Sequence, residues 1–173
     1  SEDEAKIGNF RAAIHGDYDA IVNPGRYAML KVDGGLMMTD TDMEKRTNRE
    51  FLVRAKGSVL VAGLGLGMIL HPLAEKLSVT DITVIEKSPG VAELVHATVP
   101  NKVTVIVDDI FTWRPAKGTK YDTIYFDIWP TLCTDNLEEI QKLKRAFRSR
   151  LAPGGVMLAW VEQKLKWRKR HGF

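Results

Sequence analysis

Cysteine is nearly absent from this sequence, and long apolar runs are absent altogether. Cys133 is the single cysteine among 173 residues, which excludes an internal disulfide framework and a metal site built on cysteines. No apolar run approaches the roughly 20 residues that a membrane-spanning helix needs, and no signal peptide is visible at the start. We therefore expect a soluble, cytoplasmic protein with no membrane partner.

Histidine is also scarce and gives no support for a metal or a catalytic dyad. The four histidines are scattered along the chain, and none has a partner at a spacing typical of such sites; they are His15, His71, His96 and His171. The sequence therefore predicts no metal site.

Positive charge is concentrated at one end of the chain. The formal net charge is +3, but residues 164–173 alone contribute +5 and contain no acid, which leaves −2 for residues 1–163. The body is therefore not a basic nucleic-acid-binding surface, and any affinity for polyanions is expected in this basic tail alone. We interpret the tail itself as a solvated, partly disordered terminus.

The stretch SVLVAGLGLG, residues 58–67, is the strongest local signal in the chain. Its apolar run, Val59 to Val61, is typical of a central strand that is buried on both faces. The glycines that follow, Gly63, Gly65 and Gly67, let the chain turn sharply and bring its backbone close to a ligand, because no Cβ stands in the way. This stretch predicts a strand that leads into a ligand-binding turn.

A second strand signal ends in an acid. The run Ile82 to Ile85 is followed by Glu86, nineteen residues after the last glycine. A glycine turn next to an acid-tipped strand is typical of a nucleoside site, in which the acid accepts hydrogen bonds from ribose hydroxyls. The glycine spacing here is G-x-G-x-G, whereas the dinucleotide fingerprint is G-x-G-x-x-G, so a nicotinamide enzyme is the least favoured reading.

Strand and helix signals alternate along the rest of the chain, which predicts an α/β fold with a parallel sheet covered on both faces. The further strands are expected at Val103 to Val107, Tyr121 to Asp127 and Val156 to Val161. Before the glycine loop, the Asp33-Gly34 pair predicts a β-hairpin between the strand-like runs at residues 27–32 and 35–39, preceded by a short helix around residues 7–14.

The helix signals are capping residues and apolar periodicity. A helix is expected after the glycine loop to about Leu77, starting late or kinked at Pro72. Ser88-Pro89 predicts the start of the next helix, and the last predicted helix has a capping box. The helix that begins at Ser88-Pro89 is expected to bury Val91, Leu94 and Val95. In the last predicted helix, Asp135 and Glu138 form the capping box, and Pro153-Gly154-Gly155 ends the helix. Its expected buried face consists of Leu137, Ile140, Leu143, Phe147 and Leu151.

The G-x-G-x-G loop resembles motif I of the class I S-adenosylmethionine (SAM) methyltransferases. The order of hairpin, loop, acid-tipped strand and Tyr-Asp strand, over Tyr27 to Val161, is similar to the spermidine synthase branch of that superfamily. The resemblance implies a Rossmann-like fold with a mostly parallel sheet and an N-terminal β-hairpin. It also implies SAM or decarboxylated SAM as cofactor, an N-terminal extension over residues 1–52, and a SAM-binding domain over residues 53–163, followed by the basic tail.

The same resemblance implies roles for individual residues. Glu86 matches the acid that binds the ribose, and Asp109, in a segment similar to the family's Asp-Gly-Phe, matches the residue that contacts the adenine amino group. Asp127 ends a strand where the family carries the carboxylate that helps deprotonate the attacking amine, so it is the predicted catalytic residue. The predicted cofactor-binding residues are Gly63, Leu64, Gly65, Gly67, Glu86, Lys87, Asp109, Ile110 and Asp127.

The chain departs from the spermidine synthase pattern where that family holds its polyamine. Asp127 is followed by Ile-Trp-Pro in place of Ser-Ser-Asp-Pro, Met37 replaces a glutamine, and Met43 replaces the acid after Asp42. We therefore favour a methyltransferase of a small acceptor, because methyl transfer depends mainly on alignment and desolvation. An aminopropyltransferase that uses decarboxylated SAM and a non-catalytic SAM-binding domain remain alternatives. The predicted substrate pocket contains an exposed Trp129, Pro130 and Asp42.

The SAM-transferase sheet usually continues past its fifth strand, but only twelve residues follow Val161 here. We therefore expect a C-terminally shortened sheet whose apolar fifth strand lies at or near an edge. Such an edge invites pairing with another chain unless the N-terminal hairpin covers it. The expected partners are accordingly a small-molecule acceptor and a second copy of the chain, most simply in a dimer.

Overall fold

The structure, a computed structural model, describes residue 23 and residues 25–172. Its strands are β1 Met29–Val32, β2 Gly35–Thr39, β3 Gly57–Ala62, β4 Val79–Glu86, β5 Val103–Val107, β6 Tyr121–Phe126 and β7 Leu151–Ala159. Its α-helices are α1 Asp42–Thr47, α2 Arg49–Arg54, α3 Leu70–Glu75, α4 Pro89–Val95, α5 Asn136–Phe147 and α6 Glu162–His171. The helix predicted around residues 7–14 lies outside the described residues.

Five strands form one parallel sheet in the order β5-β4-β3-β6-β7. The central strand β3 pairs with β4 and β6 in register, so that Val59 lies between Ile82 and Thr123. Strands β1 and β2 form a separate antiparallel hairpin around Asp33-Gly34. The predicted Rossmann-like α/β fold, with a mostly parallel sheet and an N-terminal hairpin, is thereby confirmed.

The core is built around β3. Leu60 and Val61 are completely buried because helices cover both faces of the sheet at this strand. Helix α2 packs on one face through Phe51, whose ring stacks on that of Tyr125 with centroids 4.0 Å apart. This stack fixes the N-terminal helices against β6, whose carboxyl end carries the predicted catalytic residue.

The helix after the glycine loop starts late, at Leu70, so Pro72 falls in its first turn. A proline costs little there, because the first N–H groups of a helix have no partner within it. The helix ends at Glu75, and Leu77 is exposed.

Helix α4 starts as predicted, with Ser88 Oγ accepting a hydrogen bond from the Val91 N–H at 3.3 Å. The prediction that Leu94 is buried is wrong. Val91 and Val95, one helical turn apart, form the buried stripe, and Leu94 lies beside it.

Helix α5 has the predicted buried stripe, but the prediction of its capping box is wrong. Asp135 has helical backbone angles, φ −65° and ψ −26°, and its side chain caps no N–H group. The helix also ends earlier than predicted, and Leu151 begins β7. The Pro153-Gly154-Gly155 turn signal therefore lies inside β7, where the pairing with β6 shifts register between Tyr121 and Thr123.

The basic tail is solvated as predicted, since most of its described residues are exposed, but the prediction that it is partly disordered is wrong because residues 164–171 are helical. Strand β7 ends at Ala159 and not at Val161, which has a left-handed backbone with φ +45° and leads into α6. Leu165 is buried, and the buried Glu162 binds Lys144 of α5 and Lys166 of α6. These contacts order the helix because they satisfy a buried carboxylate.

Strand β7 is one edge of the described sheet, and the hairpin forms its own sheet without pairing to it. The dimer stays a prediction. None of the described helices has the length and apolarity to cross a membrane.

Candidate functional site

A cavity of about 680 Å³ lies at the carboxyl ends of β3, β4 and β6, with residues of the hairpin along one side. Ligands of open α/β sheets bind at this position, and the volume is within the range of about 300–1,000 Å³ typical of small-molecule sites. The three sequence signals that pointed to a ligand, namely the glycine loop, Glu86 and Asp127, all meet in this cavity.

The glycine loop is packed so closely that side chains have no room. Gly63 has φ +96°, and a Cβ there would lie 2.0 Å from the Asp127 carbonyl oxygen. Gly65 has φ +51°, and a Cβ there would lie 2.4 Å from Met38 Sδ, so the hairpin rests directly on the loop. Both residues line the cavity. Gly67, a predicted cofactor residue, does not line it and instead packs against Val95.

Glu86 is oriented by the backbone around it. Its Oε2 accepts a hydrogen bond from the Leu64 N–H at 2.8 Å, and its Oε1 accepts one from the Ser88 N–H at 2.7 Å. Each carboxylate oxygen has two lone pairs, so the acid can accept further hydrogen bonds from a ligand. The predicted ribose acid and the predicted loop residue Leu64 are thus one connected unit that lines the cavity.

Asp109 lies at the rim of the same cavity and closes a small turn. Its Oδ1 accepts a hydrogen bond from the Phe111 N–H at 2.9 Å, and its Oδ2 lies 2.9 Å from Lys87 Nζ. The hydrogen bond from Lys87, followed by that from Phe111, lowers the pKa of Asp109. Ile110 is buried against the cavity beside it. The structure therefore brings these three predicted cofactor residues together.

Asp127 faces the cavity directly after β6. Its backbone N–H donates to the Ala62 carbonyl oxygen at 2.8 Å, which fixes it beside the glycine loop. Its carboxylate has no hydrogen bond or ion pair to any residue in the part of the chain that the structure describes. Burial, and then the negative charge of Glu44, raises the pKa of Asp127 to about 7. A carboxylate with such a pKa can exchange protons near neutral pH.

Glu44 is a cavity residue that the sequence analysis missed. The predicted pocket acid, Asp42, lies outside the cavity, more than half exposed, with Oδ1 3.5 Å from Lys45 Nζ. Two residues further along α1, Glu44 lines the cavity instead. Successive residues of a helix point about 100° apart, so residues two apart point in nearly opposite directions. The spacing of Glu44 to the buried Asn48 and Phe51 is the signal that marks this helix face.

Two tryptophans form the aromatic wall of the cavity. Trp129 lines the cavity as predicted. The prediction that its side chain is exposed is wrong, because it is only 8% exposed. Its Nε1 donates to Glu139 Oε2 at 2.6 Å, which holds the ring in this buried position. Pro130 lines the cavity next to it. Trp160, which the sequence analysis did not single out, also lines it, and its Nε1 donates to Thr47 Oγ1 at 3.1 Å.

The cavity is strongly acidic although the chain as a whole is basic. Among the described residues, its lining contains one lysine, Lys87, and seven carboxylates, namely Asp33, Glu44, Glu86, Asp108, Asp109, Asp127 and Glu139. A cleft lined mainly by one sign of charge attracts ligands of the opposite sign. Within the same described residues, no cluster of histidine, cysteine and acid side chains is arranged to hold a metal ion.

Solved structures of several methyltransferases share this fold. No protein-family model and no curated protein matches the chain. Solved structures do match, among them the CcbJ methyltransferase from Streptomyces caelestis, at 22% identity and a TM-score of 0.51, covering 65% of this chain and 47% of that one. A complex of DhpI with SAH matches at 25% identity and a TM-score of 0.50, covering 67% of this chain and 55% of that one.

A third match is the N-methyltransferase NodS from Bradyrhizobium japonicum WM9 in complex with S-adenosylhomocysteine (SAH). It has 17% identity and a TM-score of 0.50, covering 66% of this chain and 59% of that one. The chain thus spans about half to three fifths of the length of these proteins. The fold is the Rossmann-like fold of class I SAM-dependent methyltransferases. The spermidine synthase branch is a finer assignment that these matches do not support.

Proposed function

We propose that this chain is a SAM-dependent methyltransferase that acts on a small acceptor. The observation that carries the proposal is the meeting of Glu86, the glycine loop and Asp127 in one cavity, with Glu86 bound directly to Leu64 of the loop. Complexes with SAH among the structural neighbours, DhpI and NodS, support the choice of cofactor. The acidic lining supports it too, because SAM carries a positively charged sulfur.

The residues present fit this cofactor from end to end. Glu86 has free lone pairs for the ribose hydroxyls, and Asp109 with Ile110 forms the rim at which the adenine is expected. Gly63 and Gly65 line the cavity beside Asp127, where the amino-acid part of the cofactor is expected, and their lack of a Cβ lets the Asp127 carbonyl oxygen and Met38 Sδ approach the loop. When bound, SAM supplies a methyl group whose bond to the cationic sulfur breaks with both electrons passing to the sulfur.

Asp127 then serves as the proton acceptor. A nucleophilic N–H or O–H group of the acceptor loses its proton when it is methylated, and a carboxylate with a pKa of about 7 can take up that proton near neutral pH. The indole rings of Trp129 and Trp160 keep the neighbouring part of the cavity apolar and restrict water. Among residue 23 and residues 25–172, no contact favours aminopropyl transfer over methyl transfer.

The test is a transfer assay with methyl-radiolabelled SAM and a panel of small amines, alcohols and carboxylic acids. We expect label in at least one acceptor, with SAH as the second product. Asp127→Asn should lower that rate by about 10²–10⁴-fold, which is the usual contribution of a general base. Asp42→Asn, a matched change outside the cavity, should leave the rate unchanged. Equal rates for wild type and Asp127→Asn would show that Asp127 is structural. Tight SAM binding with no acceptor would favour a non-catalytic domain.

A further inference from the structure

Two carboxylates from distant parts of the chain face the same cavity beside its aromatic wall. Asp127 follows β6, a neighbour of the central strand β3, whereas Glu44 belongs to α1, which follows the hairpin. Neither has an ion-pair partner among the described residues. The nearby lysines are already engaged, since Lys45 pairs with Asp42 and Lys87 pairs with Asp109. Burial raises the pKa of Glu44, and a backbone hydrogen bond from Thr39 partly offsets this effect, but no cation of the described residues pairs with either carboxylate.

The backbone of Glu44 is held by three hydrogen bonds to its carbonyl oxygen. Thr47 Oγ1 donates at 3.1 Å, Asn48 Nδ2 at 3.0 Å and the Asn48 N–H at 3.3 Å. Such convergence fixes the turn of α1 that carries Glu44, although α1 has only six residues and is too short to be stable alone. The two residues that hold this carbonyl, Thr47 and Asn48, are themselves held from the sheet.

Two side chains from the carboxyl ends of neighbouring strands make this connection. Tyr125 of β6 donates its hydroxyl proton to Asn48 Oδ1 at 2.8 Å, and Trp160 after β7 donates its indole N–H to Thr47 Oγ1 at 3.1 Å. Tyr125 is the last but one residue of β6 and precedes Asp127 by two residues. The position of Glu44 is therefore tied to the end of β6 that Asp127 follows, through one buried hydrogen bond, from Tyr125 to Asn48, and others that are partly buried.

We propose that Glu44 is the specificity-determining residue of this site and that it selects an acceptor carrying a positively charged ammonium group. This inference rests on the proposed function and names its substrate class. When Asp127 is ionised, its charge and that of Glu44 repel each other in the cavity, and a bound cation relieves that repulsion. Apolar side chains next to the pair, Trp129, Ile128 and Met37, fit the hydrocarbon body of such a ligand. The acceptor is therefore an amphipathic amine that binds as the ammonium ion, and its nitrogen becomes nucleophilic once one N–H proton has passed to the Asp127 carboxylate.

The test uses three probes of similar size and different charge, with the protein saturated by SAH: 2-phenylethylamine, 2-phenylethanol and 3-phenylpropionate. Calorimetry should show the amine binding at least about 10-fold more tightly than the alcohol, with the carboxylate weakest, as expected for a charge-assisted hydrogen bond. Glu44→Gln keeps the shape and should reduce the preference for the amine to less than about threefold. Glu75→Gln, a matched change on an exposed residue of α3, should preserve it.

Two further readouts keep the outcomes distinct. SAH affinity should be the same in wild type and Glu44→Gln, which reports that the variant is folded. Thr47→Val removes one of the two connections and should weaken the preference for the amine without abolishing it. An amine that binds no better than the alcohol, or not at all, overturns the inference while SAH binding leaves the proposed function intact. A preference that survives Glu44→Gln also overturns it. Failure of wild type to bind SAH overturns both.

Discussion

The backbone N–H of Leu64 donates to Glu86 Oε2 at 2.8 Å, so the glycine loop and the acid at the end of β4 are bound directly to each other. The second oxygen of the same carboxylate holds the start of the next helix through Ser88. The Glu86 side chain therefore positions both the glycine loop and the start of α4 without a bound ligand. Preorganisation of this kind lowers the cost of binding, because the groups that contact the ligand are already ordered.

Replacing Glu86 with Ala should weaken both the site and the fold. The N–H groups of Leu64 and Ser88 lose their acceptor, and a bound ligand loses hydrogen bonds worth roughly 1.5–3 kcal/mol each. We expect SAH affinity to fall by at least about 10-fold and the free energy of unfolding to fall by about 1–3 kcal/mol. Calorimetry and urea unfolding measure the two effects, with Glu75→Ala as the exposed control. Unchanged SAH affinity would rule out Glu86 as a ligand-binding residue.

The raised pKa of Asp127 gives stability a definite dependence on pH. Its pKa rises from 3.8 to about 7 on folding, so the native state binds this proton more tightly than the unfolded state does. Stability should therefore fall as pH rises from about 4 to about 7, by at most about 4 kcal/mol from this group. Asp127→Asn should lack this decrease and be the more stable protein at pH 8. Urea unfolding across this pH range, with Asp42→Asn as control, measures it; identical slopes in wild type and Asp127→Asn would refute it.

The pH profile of methyl transfer should report the interaction between Glu44 and Asp127. The unprotonated form of Asp127 is the active one, so the rate should rise with pH through about 7. Burial is the larger cause of that pKa, and the negative charge of Glu44 is the second. Glu44→Gln removes the second cause only and should move the rise to lower pH without returning it to 3.8. A profile that does not move would mean that the two groups are uncoupled.

The glycine loop offers a matched pair of stability measurements. Gly63→Ala adds a Cβ 2.0 Å from the Asp127 carbonyl oxygen at φ +96°, whereas Gly118→Ala adds one in open space at φ +91°. Gly63→Ala is destabilised by both a steric clash and backbone strain, whereas Gly118→Ala is destabilised by backbone strain alone. We expect losses of more than about 3 kcal/mol and of about 1–2 kcal/mol, respectively. Equal losses in urea unfolding would mean that the loop relaxes away from β6.

Local signals explain what could be predicted from the sequence. The strand β3, the glycine loop and the acid-tipped β4 depend on apolar runs, on backbone freedom and on short spacings, all of which the sequence shows directly. The Asp33-Gly34 turn and the Ser88 cap are equally local. For this reason the Rossmann-like fold and the positions of Glu86 and Asp127 followed from the sequence.

Contacts between distant residues explain what could not be predicted. The helical spacing of Glu44 to Asn48 and Phe51 marks a buried face, but Asn48 and Thr47 bind side chains 77 and 113 residues away, so the spacing alone does not show that this face borders the cavity. Helix α6 carries the charge pattern of a solvated tail, yet Glu162 orders it by pairing with Lys144, which lies on a different helix. For Glu44 and for α6, contacts with residues far apart in the sequence determine the structure, and local propensity alone does not predict it.

Calorimetric titration of the wild-type chain with SAH tests the central claim most directly. We expect binding at one site with a dissociation constant in roughly the micromolar range, competition by SAM at the same site, and no heat from NAD⁺ at the same concentrations. A chain that binds neither SAM nor SAH at about 1 mM, or that binds NAD⁺ as tightly as SAH, would contradict the assignment of this cavity to SAM.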